Sequence, residues 1–172
     1  MTQTLQPTAS QTVGPFFNPP IKLDGLDQAF ATGDFITLEG QLLDGAGAPI
    51  GDAMIEFWQA DAQGHAANGS NTIGAQAGFA RIGTDREGRF RLTTVKPGAT
   101  PDAAPHIAVT VFARGLLRHL FTRVYFSADA NDAVQKLAEA RASTLVAQAM
   151  SANLYRWNIH VQGAQETVFF DF

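Results

Sequence analysis

Apolar residues recur at every second position along most of this chain, and that period commits it to extended strands that bury one face. Ile36, Leu38 and Leu42 alternate with Thr37, Glu39 and Gln41, a half-buried strand that stops at the Asp44-Gly45 turn. After Gly51-Asp52, Ile55 and Phe57 share one face while Met54, Glu56 and Trp58 share the other. HIAVTVFA at 106–113 is apolar on both faces, the pattern of a central strand, and HLFTRVYF follows it across the short Arg114-Gly115 connection. GFARIGTD and RFRLTTV flank Arg86-Glu87-Gly88, which predicts a hairpin. Tyr155, Trp157, Ile159 and Val161 then alternate with Arg156, Asn158, His160 and Gln162, and TVFF closes the set.

One stretch departs from this period. From Asp132 to Ala149, Val134, Leu137, Ala138, Leu145 and Ala149 recur at helical spacing, and Asp132-x-x-Gln135 has the form of a capping box. The expected architecture is therefore all-β, a sandwich of about eight mostly antiparallel strands with one helical excursion near 132–150. Residues 1–30 read as an N-terminal arm docked on a partner chain, and 31–172 as the sandwich domain. Phe16 and Phe17 near one end, and Phe169, Phe170 and Phe172 at the other, need burying in the core or against another chain. Trp58 and Trp157 are expected in the core, and the polar stretch 62–78 on the surface.

The inventory of reactive groups is short. With no cysteine, the chain has no disulfide framework, thiolate metal site or cysteine nucleophile. Its 12 basic and 16 acidic residues include no basic cluster, which argues against a nucleic-acid partner. No apolar run approaches the ~20 residues that span a bilayer. The first residues lack a basic and an apolar signal region, so a cytoplasmic protein with no membrane partner is expected. No G-x-S-x-G elbow, phosphate loop or acid/base carboxylate pair is present, and Asp52, Asp61, Asp85 and Glu87 read as turn residues. Arg118, Arg123 and Arg156 read as strand-surface charges. The four histidines, His65, His106, His119 and His160, lie 13 to 41 residues apart, and the two tyrosines, Tyr125 and Tyr155, fall inside strand patterns. Zinc or iron held by side chains wants about three convergent ligands, which this spacing does not offer.

Several motifs occur together in a fixed order. Ser10-Gln11-Thr12-Val13-Gly14-Pro15-Phe16 comes first, then IEFWQADAQG, a D-x-x-G-x-F turn and Lys96-Pro97-Gly98. Ala104-Pro105-His106-Ile107, Phe112-Ala113-Arg114-Gly115, R-x-YF, YR-x-x-I and a closing V-F-F-D-F follow. Over nearly the whole chain this order resembles the intradiol ring-cleavage dioxygenases. In catalytic chains of that family a ferric-ion tyrosine follows the Lys-Pro-Gly and a His-x-His pair opens the next strand. Here Thr100 stands at the tyrosine's place, His106 keeps the first histidine, and Ala108 replaces the second.

The resemblance thus implies a chain with no metal ligands and no catalytic residue of its own. It would be the companion of a homologous β chain that carries Fe(III), in an obligate hetero-oligomer cleaving an aromatic dihydroxy acid with O2. By the same resemblance, Gly14, Pro15 and Arg114 would contribute to the substrate pocket. The chemistry suits them: a proline of fixed φ beside glycine allows close backbone approach, and a guanidinium recognises a carboxylate through two parallel hydrogen bonds. Two other readings stay open at this point. One is a non-enzymatic, homo-oligomeric β-sandwich binding module that has lost its metal site, and the other is a single-chain enzyme with a different metal constellation.

Overall fold

The alternating segments pair into two sheets packed face to face. The computed structural model describes residues 27–66, 78–127, 137 and 139–171. In chain order the elements are β1 (Phe35–Leu43), β2 (Met54–Gln59), β3 (Phe79–Gly83), β4 (Arg89–Val95), β5 (His106–Phe112) and β6 (Leu120–Tyr125). A one-turn helix α1 (Glu139–Ala142) and a 3-10 turn (Ser143–Leu145) lead to β7 (Gln148–Ser151), β8 (Leu154–Arg156) and β9 (Ile159–His160). The first sheet runs β4-β1-β8-β7, with β9 also pairing β1, and the second runs β3-β2-β5-β6. β1 is antiparallel to β4 but parallel to β8 and β9. This is the expected all-β sandwich, and β5 is the central strand that its apolar pattern predicted.

Between the sheets lies the core, built from the inward face of each alternation. Ile36, Leu38, Leu42, Phe90, Leu92, Tyr155, Trp157 and Ile159 come from the first sheet; Ile55, Phe57, Ile107, Val109, Val111 and Val124 come from the second. Ala29 is also buried there, so the chain joins the sandwich before β1. A polar clamp crosses the core's edge: Thr94 donates to Gln59 Oε1 (2.7 Å) and Gln59 Nε2 donates to the Val95 carbonyl (2.9 Å). β8 and β9 are separated where the Trp157 N–H turns to the Glu39 carbonyl (2.9 Å). That approach is open because position 40 is glycine; a Cβ there would lie 1.7 Å from the Trp157 carbonyl oxygen.

Three expectations are corrected. β3 and β4 do not form a hairpin, since β3 pairs with β2 and β4 with β1 in the other sheet. The intervening 84–88 segment is a crossing between layers. Thr84 is pinned to the β2 approach by bonds from its hydroxyl to the Ile50 carbonyl and from the Ala53 N–H to its hydroxyl, both 2.9 Å. Helical structure ends at Leu145, and Gln148–Ser151 is an edge strand, because Ala147 donates to the Tyr125 carbonyl (2.9 Å) and draws the chain into sheet pairing. The proposed capping box, Asp132 to Gln135, lies outside the described residues. Finally, Trp58 is not in the core: it is 48% exposed, its ring 4.3 Å from Phe79, whereas Trp157 is buried with its indole N–H on the Thr144 carbonyl.

The C-terminal aromatics are docked within the chain. Thr122 donates to the Val168 carbonyl (2.7 Å), Phe170 donates to the Phe121 carbonyl (2.8 Å), and Phe169 packs on the main core. Phe16, Phe17 and Phe172 lie outside the described residues. Among the described residues no helix is long and apolar enough to cross a membrane.

Candidate functional site

The central strand β5 organises both candidate regions, one at each of its ends. Its odd-numbered residues Ile107, Val109 and Val111 are fully buried in the core, so His106, Ala108, Thr110 and Phe112 face outward. Antiparallel register sets their neighbours on that face: Tyr125 opposite His106, Arg123 and Trp58 opposite Ala108, Phe121 and Glu56 opposite Thr110.

At the β5 start, the Lys96-Pro97-Gly98 loop is held against the Asp61–Gly64 turn. The Gly98 N–H donates to the Asp61 carbonyl (2.8 Å), and a Cβ on Gly98 would lie 2.6 Å from the Ala62 oxygen and the Gly64 nitrogen. Lys96 reaches over the Tyr155 and Phe126 rings, 5.6 and 5.8 Å from their centroids, a cation–π contact that fixes the loop on the core. Asp61 builds the facing turn, its Oδ1 accepting the N–H groups of Gln63 (2.9 Å) and His65 (2.8 Å). The His65 backbone hydrogen bond, chief among these contacts, holds the Asp61 carboxyl below its ordinary pKa.

The groups at the positions implied for a ferric ion do not fit one. Thr100 sits in a tight turn with its hydroxyl on the Ala103 carbonyl (3.4 Å), and Ala108 offers a methyl group. His106 directs Nδ1 at the Ala104 carbonyl (2.8 Å), with its ring 5.6 Å from that of Tyr125. Tyr125 is fully buried among Leu145 and Val168. Opposite Ala108 stands a cation: the Arg123 guanidinium lies over the Phe170 ring at 5.8 Å, covered by the C-terminal segment instead of lying free on the strand surface as its sequence context predicted. A fixed positive charge beside an apolar methyl repels a trivalent cation. Among the described residues no three His, Cys, Asp or Glu side chains converge.

At the other end of β5, Ala113 is buried and Arg114 turns out of the sandwich into the connection to β6. Gly115 has φ 90°, a left-handed conformation that reverses the chain there. Arg114 is 57% exposed, and its Nη2 is paired with Asp52 Oδ2. At about 3.3 Å of rise per extended residue, Arg114 stands roughly 25 Å along the strand from His106. The fold therefore does not bring Arg114 together with Thr100, His106 and Ala108. Gly14 and Pro15 lie outside the described residues. Asp52, read from sequence as a turn residue, is the partner that sequence reasoning missed; it stands two residues before Met54, whose strand partner Phe112 stands two residues before Arg114.

Elsewhere the turn aspartates behave as expected. Asp85 Oδ1 accepts the N–H groups of Glu87 (3.0 Å) and Arg89 (2.8 Å). Arg156 is the surface charge predicted, paired with Glu39 (2.7 Å).

A family model described as Dioxygenase matches residues 14–163. The chain is 43% identical to the protocatechuate 3,4-dioxygenase alpha chain of Burkholderia cepacia, with 98% of each sequence covered. It is also 33% identical to the beta chain of protocatechuate 3,4-dioxygenase from the same organism, over 56% of this chain and 46% of that one. In three dimensions it superposes on the dioxygenase domain of a carbohydrate-binding fusion protein from Streptomyces sp. SirexAA-E with a TM-score of 0.63 and 25% identity. That match covers 92% of this chain and all of the other.

Proposed function

This chain belongs to the intradiol ring-cleavage dioxygenase family, whose members are iron-dependent oxidoreductases, and we propose that it is the α-type subunit of such an enzyme. On this reading it completes the substrate pocket of a homologous β chain, in the cytoplasm, and is inactive by itself. The substrate is protocatechuate, a catechol bearing a carboxylate. Both atoms of O2 enter as the bond between the hydroxyl-bearing ring carbons breaks, giving 3-carboxy-cis,cis-muconate. Fe(III), held by the β chain, supplies the activation of the catechol toward O2.

The observation that carries this reading is the pairing of family membership with the residues at the ligand positions. Thr100 and Ala108 supply neither phenolate nor imidazole, and the position facing Ala108 is occupied by the Arg123 cation. A chain of this family that is to serve iron chemistry must then serve a neighbour's iron. Arg114 supports the same view from the opposite end of β5. It is exposed, it keeps most of its N–H groups open, and its distance from the chain's own vestigial ligand positions suits a pocket across an interface. Within that pocket the guanidinium binds the ring carboxylate, while Gly14 and Pro15 let backbone approach the ring and exclude water. A permanent interface of this type buries more than about 2,000 Å². The homo-oligomeric alternative loses its motive where Phe169 and Phe170 are concerned, since both pack on their own chain.

The test is co-expression with a β-type chain carrying the full Tyr/Tyr/His-x-His set, alongside expression of this chain alone. Iron and protocatechuate-dependent oxygen uptake are expected only in the co-purified assembly. Stoichiometric iron with activity in the isolated chain would overturn the assignment.

A further inference from the structure

The Gly51-Asp52 turn carries a local conformational cost. Asp52 has φ 66°, the one non-glycine residue in the left-handed region among the described residues. Such a backbone is disfavoured for side chains with a Cβ, though Asp and Asn tolerate it better than most. Its neighbours hold it there. A Cβ on Gly51 would lie 2.9 Å from the Asp85 carbonyl oxygen, so the turn is pressed against the β3–β4 crossing. On the other side Ala53 is buried, accepts the Thr84 N–H and donates to the Thr84 hydroxyl, both at 2.9 Å.

Arg114 is anchored in the same way. Ala113 before it is buried, and its carbonyl accepts the Leu116 N–H (3.3 Å) across the turn. Past the last paired residues of β2 and β5, Met54 and Phe112, both chains leave the sheet in turns, and these turns hold Asp52 and Arg114 side by side. Two rigid alanines thus deliver an aspartate and an arginine to neighbouring positions at the rim, where Oδ2 of Asp52 takes Nη2 of Arg114. No other ion pair or hydrogen bond of Arg114 is formed with the described residues, which leaves Nε and Nη1 to a ligand.

We infer that Asp52 is a positioning residue: it holds the Arg114 guanidinium by one nitrogen so that the remaining N–H groups are presented to the carboxylate of the ring substrate. An arginine side chain has several rotatable bonds, and fixing it on binding costs entropy that a pre-formed tether removes. Opposite charges held side by side are a favourable arrangement, weak while exposed and stronger once a partner chain excludes water. The inference rests on the α-subunit reading, in which Arg114 meets a ligand. It adds that the arginine's orientation is set inside this chain before assembly.

The test uses the assembled α/β enzyme with Asp52→Asn, which keeps a residue tolerant of φ 66° while removing the charge. Asp52→Gly is the second carboxylate-free variant should the first fail to assemble, since glycine accepts that φ without strain. With protocatechuate, KM is expected to rise by about threefold to tenfold, the span of fixing one rotamer-rich side chain, while kcat changes less than twofold. With catechol, which lacks the carboxylate, KM should stay within twofold. In an Arg114→Gln background Asp52→Asn should add nothing. Arg114→Gln that raises KM for protocatechuate while Asp52→Asn leaves it unchanged or lowers it sinks the inference alone. If Arg114→Gln itself leaves KM unchanged, the pocket role of Arg114 and this inference fall together.

Discussion

Replacing Gly40 with alanine tests the packing that joins the C-terminal strands to β1. The added Cβ would sit 1.7 Å from the Trp157 carbonyl oxygen, 2.8 Å from its carbonyl carbon and 2.7 Å from Phe90 Cζ. Two of these three are backbone atoms, so relief requires β1 and the 156–158 segment to part by well over an ångström. Overpacking of this type costs about 1–3 kcal/mol. Parting the strands also strains the Trp157 N–H bond to the Glu39 carbonyl (2.9 Å) and the Gln41 N–H bond to Asn158 Oδ1 (3.0 Å). Hydrogen bonds are each worth about 0.5–1.5 kcal/mol, which brings the total to roughly 2–6 kcal/mol. For a domain with about 5–15 kcal/mol of stability that is a large share. Urea denaturation of the full chain, followed by tryptophan fluorescence, to which buried Trp157 contributes with the exposed Trp58, reads the loss. Gly47→Ala is the control: φ is 79° but nothing lies within 4 Å of its Cβ, so it reports conformational strain without collision. Equal midpoint shifts for the two variants would refute the steric account.

Arg114→Gln in the assembled enzyme should lower kcat/KM for protocatechuate about tenfold to a hundredfold, the worth of a charged hydrogen bond, with iron content unchanged by metal analysis. Gly98→Ala should destabilise the Lys96-Pro97-Gly98 loop, because its Cβ would meet backbone atoms of Ala62 and Gly64 at 2.6 Å; faster amide exchange at Gly98 and Gly64 would show it. The Asp61 carboxyl should titrate below 3.8 by NMR, chiefly because the His65 N–H bonds its charged form. A depressed carboxylate pKa stabilises the turn above the unfolded value, and that contribution is lost as pH falls through the folded one. His65→Ala would leave the backbone bond, the largest of these causes, in place and remove the contribution of the imidazole.

What could be read from the sequence divides along one physical line, local pattern against distant pairing. Period two located β1, β2, β5 and the 155–161 strands because each burial face is written into its own residues, and the buried faces are the ones expected. Helical spacing across 132–149 was misleading in its last turns. The same alanines and leucine serve a 3-10 turn and an edge strand once Tyr125 offers Ala147 a carbonyl. Trp58 alternates correctly, on the face opposite Phe57, but alternation does not say whether that outer face is covered. The β3–β4 hairpin failed for a related reason: turn residues at 85–88 permit a reversal without naming the sheet to which the next strand returns.

The candidate site shows the same division more sharply. That Thr100 and Ala108 stand where the family resemblance places ligands is a reading of single residues and needs no tertiary structure. That Arg114 stands far from them is a consequence of β5 running straight for seven residues, which alternation implied but did not force. That Asp52 meets Arg114 needs the pairing of two strands that begin more than fifty residues apart, with a whole crossing between sheets in the interval. An aspartate after glycine is an ordinary turn signal. Its second use emerges only when the fold brings an arginine beside it. A polar turn residue held in an unfavourable conformation beside an opposite charge therefore has two roles to be separated, and the Asp52→Asn and Asp52→Gly pair separates them: both remove the charge, but Asn keeps the backbone cost of φ 66° and Gly relieves it.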